Sequence, residues 1–182
     1  MQPHTLMDSR QMALVIERLC HQLIENHDGF EQSAIIGLQP RGTILSQRIA
    51  KGLKTILPKS PIYNGVLDVT FFRDDFRRNE KQLLALNTEI SFPIEGKKII
   101  LVDDVLYTGR TIRAGLEALL EFGRPQSVEL LVLIDRRFSR ELPIEATYTG
   151  QSIDSYDNQK VRVLWAEEDV LDKVVLLTEK HG

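Results

Sequence analysis

The sequence predicts an α/β fold built on a parallel central sheet, and three features carry that prediction. The runs "SAIIGL" (33–38), "KKIILV" (97–102) and "VELLVLID" (128–135) are short and strongly apolar, as strands buried between two layers are. Stretches with helical spacing separate them and supply the crossovers that parallel strands need. Two of the runs end in segments rich in glycine, hydroxyl and charged side chains, "QPRG" (39–42) and "DDVLYTGRT" (103–111). Ligands of open α/β sheets bind beyond the carboxyl ends of the strands, so these two segments are expected to be neighbours in space.

The elements follow in order. Asp8 with Gln11 three residues later has the form of a capping box, and Met12, Val15, Ile16, Leu19 and Leu23 continue at helical spacing, which predicts an amphipathic helix over 8–27 with Cys20 beside its apolar stripe. After the strand at 33–38 and the break at "QPRG", Ile44, Leu45, Ile49, Leu53 and Ile56 resume the helical period. "VLDVTFF" (66–72) alternates Leu67, Val69 and Phe71 against Asp68 and Thr70, a strand pattern. The charged stretch 73–91 has no consistent period and reads as a long loop, of a length that is usually disordered or a functional lid. "RTIRAGLEALLEF" (110–122) is a helix closed by Gly123 and Pro125, and the strand at 128–135 follows.

Composition limits the function classes. The 182 residues are 42% apolar and 27% charged, enough for one domain with a substantial core. A net charge of −3 and a pI near 5.8 create no field that would attract nucleic acid, so such binding would need a local basic patch. The single Cys20 forms no internal disulfide. The start lacks the pattern of a signal peptide and no apolar stretch approaches eighteen residues, which makes the cytoplasm the expected location and a membrane partner unexpected. His4, His21, His27 and His181 show no metal-ligand spacing and read as surface residues.

The segment "DDVLYTGRT" carries the chemistry. A turn between a strand and a helix leaves backbone N–H groups unpaired and aligned with the helix dipole, which favours a phosphate. Gly109 lets the backbone approach that anion, and Thr108 and Thr111 add hydroxyl donors. Asp103 and Asp104 accept hydrogen bonds from vicinal hydroxyls or hold a hard cation. One ligand meets every part: a ribose with its 5-phosphate in "YTGRT", its 2- and 3-hydroxyls on the aspartates, and an anomeric pyrophosphate carrying Mg²⁺. A receiver domain also begins with an acidic pair, but places it after its first strand. "GLQPRGT" (37–43) has the glycine spacing of a nucleotide P-loop, yet Thr43 stands where lysine is required.

"IILVDDVLYTGRT" (99–111) resembles the phosphoribosyl-pyrophosphate (PRPP) motif of type I phosphoribosyltransferases. Together with "DVTFFRDD" (68–75) and "RELPIEATYTG" (140–150), it is similar to the bacterial pyrimidine-operon attenuator family, whose members double as uracil phosphoribosyltransferases. The resemblance implies a type I fold over 1–182, with a flexible flap at about 73–91 and a small hood from about 140–182 plus N-terminal elements. It implies formation of UMP and pyrophosphate from uracil and PRPP with Mg²⁺, in a homodimer or larger homo-oligomer; a UMP-sensing RNA regulator, or a transferase for another base, is the alternative.

The same resemblance assigns residues. Pro40, Arg41 and Gly42 match the pyrophosphate loop, although relatives usually carry Thr-Arg-Gly and Pro40 removes an N–H donor. Arg73 matches the flap base, where it would close on the departing charge alongside Arg41, Asp103 and Asp104. Val105, Leu106, Tyr107, Thr108, Gly109, Arg110 and Thr111 complete the PRPP motif; purine-specific relatives often hold an aspartate where this chain has Tyr107. Asp135, Arg136 and Val161 would form the base end, and Asp154-Ser155-Tyr156 stands where relatives read Pro-Thr-Ser. Arg18, His21 and Arg140 match an RNA-binding face, but Glu17, Glu145 and Gln151 depart from it towards negative charge, so leader-RNA binding is expected to be weak.

Overall fold

The computed structural model describes residues 3–72, 87–156 and 158–178. Its chain order is β1 (His4–Met7), α1 (Ser9–His27), β2 (Ser33–Leu38), α2 (Gly42–Ile56), β3 (Tyr63–Leu67), β4 (Lys98–Leu106), α3 (Arg110–Leu120), β5 (Ser127–Arg137), β6 (Tyr148–Asp154), β7 (Gln159–Leu164) and β8 (Lys173–Thr178). Five strands form one sheet in the order β3-β2-β4-β5-β6, and every pair in it is parallel. The other three make a small antiparallel sheet, β1-β8-β7. The α/β class expected from the sequence is thus the observed one.

Strand pleating sends alternate residues to opposite layers. Ile35, Ile100, Val102, Leu131 and Leu133 face α1, α2 and the small sheet, packing with Leu19, Leu23, Leu45, Ile49, Val163 and Trp165. Ile36, Ile99, Leu101, Leu130 and Val132 face α3, meeting Ile112, Ala118 and Leu119. The capping box at α1 forms as expected: the Asp8 carboxylate accepts from the Gln11 amide at 2.8 Å, and the Gln11 side chain accepts from the Asp8 amide at 2.9 Å. Cys20 is buried against α2, and loss of hydration raises its thiol pKa to about 11. Among the described residues no helix is long and apolar enough to cross a membrane.

Four expectations are revised. The strand read at 66–72 is β3, which stops at Leu67; the Asp68 carboxylate accepts from the Thr70 amide (2.9 Å) and hydroxyl (2.6 Å), turning the chain into a short 3₁₀ turn at Thr70–Phe72. β4 runs through both aspartates to Leu106, because β5 pairs with it as far as Leu106↔Asp135. The stretch from 140 divides, since β6 joins the core sheet while only β7 and β8 join β1. His27 is buried, not on the surface: its ring nitrogens meet the Ser33 hydroxyl at 2.9 Å, and the Glu129 carboxylate at 3.0 Å with the Tyr148 hydroxyl at 3.2 Å. Of the expected flap, Arg73 and the rest of 73–86 lie outside the described residues. Beyond them, Glu89 pairs with Val66 through two backbone hydrogen bonds.

Candidate active site

Parallel pairing of β2 with β4, with Gly37 opposite Val102, brings the two carboxyl-end segments together as the sequence predicts. After β2 the chain turns through a cis Gln39–Pro40 peptide and enters α2 at Gly42. A β-carbon at Gly42 would run into the carbonyl oxygen of Val102 and lie 3.0 Å from the α-carbon of Asp103. Only glycine allows the Arg41 loop to lie this close to the carboxylates.

Asp103 and Asp104 are adjacent on an extended strand, and both are more than nine-tenths buried. The Asp103 carboxylate accepts from the Asp104 amide at 2.9 Å. Asp104 has its pKa raised to about 6, chiefly by loss of hydration; the Arg41 charge and backbone amides of Val105 and Asp104 oppose the rise, and Glu168 adds to it. The Arg41 charge is thus near enough to Asp104 to favour its ionised form. The Arg41 guanidinium also donates to the Val163 carbonyl at 2.6 Å, tying the loop to the small sheet. The Thr43 hydroxyl oxygen, in the first turn of α2, is buried without a hydrogen-bond partner among the described residues.

The second segment leaves β4 at Leu106 and starts α3 at Arg110, with Gly109 as the cap residue at φ 92°. This left-handed conformation favours glycine. Gly109 offers no capping side chain; the Arg110 amide donates to the Thr108 hydroxyl at 3.4 Å, and the first turn carries the positive end of the helix dipole. Ile144 packs over Gly109, and the Thr108 carbonyl accepts from the Glu141 and Leu142 amides at 3.0 and 3.2 Å. Arg110 turns aside to Glu141, at 2.6 Å. Val105 and Leu106 pack their side chains into opposite cores, so what they offer the cleft is backbone. Pro40 is exposed and Thr111 half-buried.

This arrangement is chemically suited to a phosphorylated, hydroxyl-bearing ligand, with amides for phosphate and carboxylates for hydroxyls. The profile of the phosphoribosyl transferase domain matches residues 4–168. The chain belongs to the phosphoribosyl transferase family. Proteins similar to it over nearly their whole length include the "Bifunctional protein PyrR" of Caldicellulosiruptor bescii, 42% identical over 94% of this chain and 93% of that one. That of Desulfosudis oleivorans is 42% identical over 95% of each. Among solved structures, a hypoxanthine-guanine phosphoribosyltransferase of Bacillus anthracis superposes with a TM-score of 0.70 over 96% of this chain and 98% of that one, at 17% identity. The hypoxanthine phosphoribosyltransferase of Trypanosoma cruzi gives 0.69 over 97% of each, also at 17%. The expected type I phosphoribosyltransferase fold is therefore the fold found.

The residues expected at the base end, Asp135, Arg136 and Val161, are each engaged by other parts of the chain. Arg140 pairs with Asp135 at 2.5 Å and donates to the Tyr107 carbonyl. Arg136 is buried; it donates to the Ser155 hydroxyl (2.8 Å) and the Gln159 carbonyl (2.8 Å), and lies over the Tyr107 ring. Val161 sits in β7 with its side chain in the core between the sheets. Of the expected RNA-binding residues, Arg18 reaches the carbonyls of Thr149 (3.3 Å) and Gly150 (2.5 Å) on β6, Arg140 turns inward, and His21 is exposed. Sequence reasoning missed Glu168, and it named Ser155 only within the segment 154–156, without its bond to Arg136. The acidic run 167–169 shortly after β7 was a usable signal for the first, whereas nothing local pointed to the partner of the second.

The carboxylates also fit the expected cation. Mg²⁺ keeps several waters and is held by one or two carboxylates plus substrate phosphates, and the described residues contain no cluster of three or more His, Cys, Asp or Glu side chains able to hold a metal by themselves. Asp103 and Asp104 match that mode of binding.

Proposed function

We propose that the chain transfers the 5-phosphoribosyl group of PRPP to uracil, giving UMP and pyrophosphate. The observation that carries this reading is the pair of nearly buried carboxylates at the end of β4, set between the N-terminus of α3 and the guanidinium of Arg41. Uracil as acceptor rests on the resemblance of the "VDDVLYTGRT", "DVTFFRDD" and "RELPIEATYTG" segments.

The 5-phosphate lies on the amides after Gly109 and the hydroxyls of Thr108 and Thr111. Asp103 and Asp104 hold the ribose hydroxyls, which orients the anomeric carbon. Arg41, Gly42 and the α2 terminus receive the pyrophosphate, with Arg73 as a second cation. The uracil ring nitrogen forms its bond to the anomeric carbon as the bond to pyrophosphate breaks, and the nitrogen's proton is released. Positive charge on the ribose and negative charge on the leaving group develop together, and the protein's contribution is alignment plus the Arg41 charge. Mg²⁺, when bound with PRPP beside Asp103 and Asp104, neutralises the pyrophosphate. Pyrophosphate release measured with PRPP and a panel of uracil, cytosine, hypoxanthine, guanine and adenine tests the proposal. Uracil is expected to be preferred; faster turnover of a purine, or none with any base, refutes it.

A further inference from the structure

At the end of β5 a guanidinium is enclosed by groups from three parts of the chain. Arg136 is only 4% exposed. Its Nε donates to the Ser155 hydroxyl at 2.8 Å, and a terminal nitrogen donates to the carbonyls of Gln159 (2.8 Å) and Tyr156 (3.4 Å). Ser155 and Tyr156 follow β6, and Gln159 opens β7. On its other side the guanidinium carbon lies 3.9 Å from the centre of the Tyr107 ring, in the phosphate loop after β4. A buried charge is tolerated where hydrogen bonds and a π face replace its hydration.

Tyr107 is gripped twice. Its ring stacks on Arg136, and its carbonyl accepts from Arg140, which is paired with Asp135 at 2.5 Å. The residue nevertheless keeps 37% of its surface open. An ordinary surface tyrosine has no need of two arginines, and a core tyrosine is covered. A half-open ring in a fixed orientation, one residue ahead of the phosphate loop's first hydroxyl, is what a ligand surface requires.

We propose that Arg136 is a positioning residue that works through Tyr107: it locks the ring to Ser155, Tyr156 and Gln159, so the base end of the cleft and the ribose-phosphate loop are set by one clamp. This rests on the reading of the cleft as a phosphoribosyltransferase site. The planar fork of arginine serves here as both hydrogen-bond donor and stacking surface, which lysine cannot do.

The test compares wild type, Tyr107→Phe, Tyr107→Leu, Ser155→Ala and the double variant Tyr107→Leu/Ser155→Ala by pyrophosphate release, with uracil varied at saturating PRPP. Leucine loses the stacked ring and phenylalanine keeps it, so KM for uracil is expected to be about tenfold higher in Tyr107→Leu than in Tyr107→Phe, with kcat within about threefold. Ser155→Ala is expected to move KM the same way by less. The double variant should match Tyr107→Leu, because both substitutions act through one guanidinium. Equal KM for the leucine and phenylalanine variants, a loss confined to kcat, or fully additive effects would each overturn the clamp. Should wild type release no pyrophosphate with any base, the catalytic reading fails by itself, and UMP binding by isothermal calorimetry then decides the clamp: a tenfold affinity gap between Tyr107→Phe and Tyr107→Leu supports it, and no gap, or no UMP binding, overturns it.

Discussion

Replacing Asp104 by asparagine is expected to make the ligand-free protein more stable and less active. Burial raises the pKa of Asp104 from 3.8 to about 6 against the opposing pull of Arg41, so the folded chain holds this proton to higher pH than the unfolded chain does. The sign follows from linkage. The stabilising contribution is complete below pH 3.8, where both states are protonated, and is lost as pH rises through about 6. At pH 8 the ionised carboxylate therefore costs about 3 kcal/mol relative to its neutral form. Asparagine has the same shape and no charge, but it keeps only one accepting oxygen for the backbone amides around it, which offsets part of the gain. A net 1–2 kcal/mol, roughly, corresponds to a rise in melting temperature of about 2–8 °C for a chain of this length. The assay is thermal unfolding of both proteins at pH 8 and at pH 4.5, without PRPP or Mg²⁺. The wild type at pH 4.5 is largely protonated at this site, so the gap should close there. An asparagine variant equally or less stable at pH 8, or a gap unchanged between the two pH values, would show that the Arg41 pairing outweighs desolvation. Pyrophosphate release by the same variant should fall about 10²-fold, because a charged hydrogen-bond acceptor for the ribose is gone.

Other outcomes follow from the same geometry. Arg41→Ala should lower turnover by about 10²- to 10³-fold; a loss confined to substrate KM would contradict a role in stabilising the departing charge. Gly109→Ala places a β-carbon 3.3 Å from Ile144 at a positive φ, which should cost about 1–2 kcal/mol in thermal or urea unfolding; a variant as stable as wild type would mean that the loop relaxes freely. Cys20 should resist Ellman's reagent in the native protein at pH 8 and react at once in denaturant, since burial pushes its thiol up to about 11; prompt native labelling would contradict its packing between α1 and α2. Mobility shift on the chain's own operon leader RNA should find weak binding, given that Arg18 and Arg140 are engaged with the protein's own carbonyls and with Asp135. Submicromolar, UMP-enhanced binding at about 0.15 M salt would restore the regulator reading.

The sequence by itself determined the parallel sheet, the order of its helical crossovers and the glycine turn after β4. Each depends on interactions within a few residues: hydrophobic period, the Asp8–Gln11 cap, and a glycine at a left-handed position. It also singled out Asp103 and Asp104 as candidate ligand-binding carboxylates, because two adjacent acidic residues end an otherwise apolar run. What only the tertiary structure decided depends on partners distant in the chain. Alternation in "VLDVTFF" read as strand, yet Asp68 turned the chain through a local hydrogen bond that periodicity does not register. His27 looked like a surface residue because Ser33, Glu129 and Tyr148 reach it from three strands. Tyr148–Asp154 has the short, mixed character of an edge strand, and only pairing with β5 assigns it to the core sheet. Arg136 and Arg140 were equally charged letters in one segment; folding buried one beneath Tyr107 and paired the other with Asp135. A charge's role is set by what surrounds it once water is excluded, and for these two arginines the surroundings come from β4, β5 and the turn before β7.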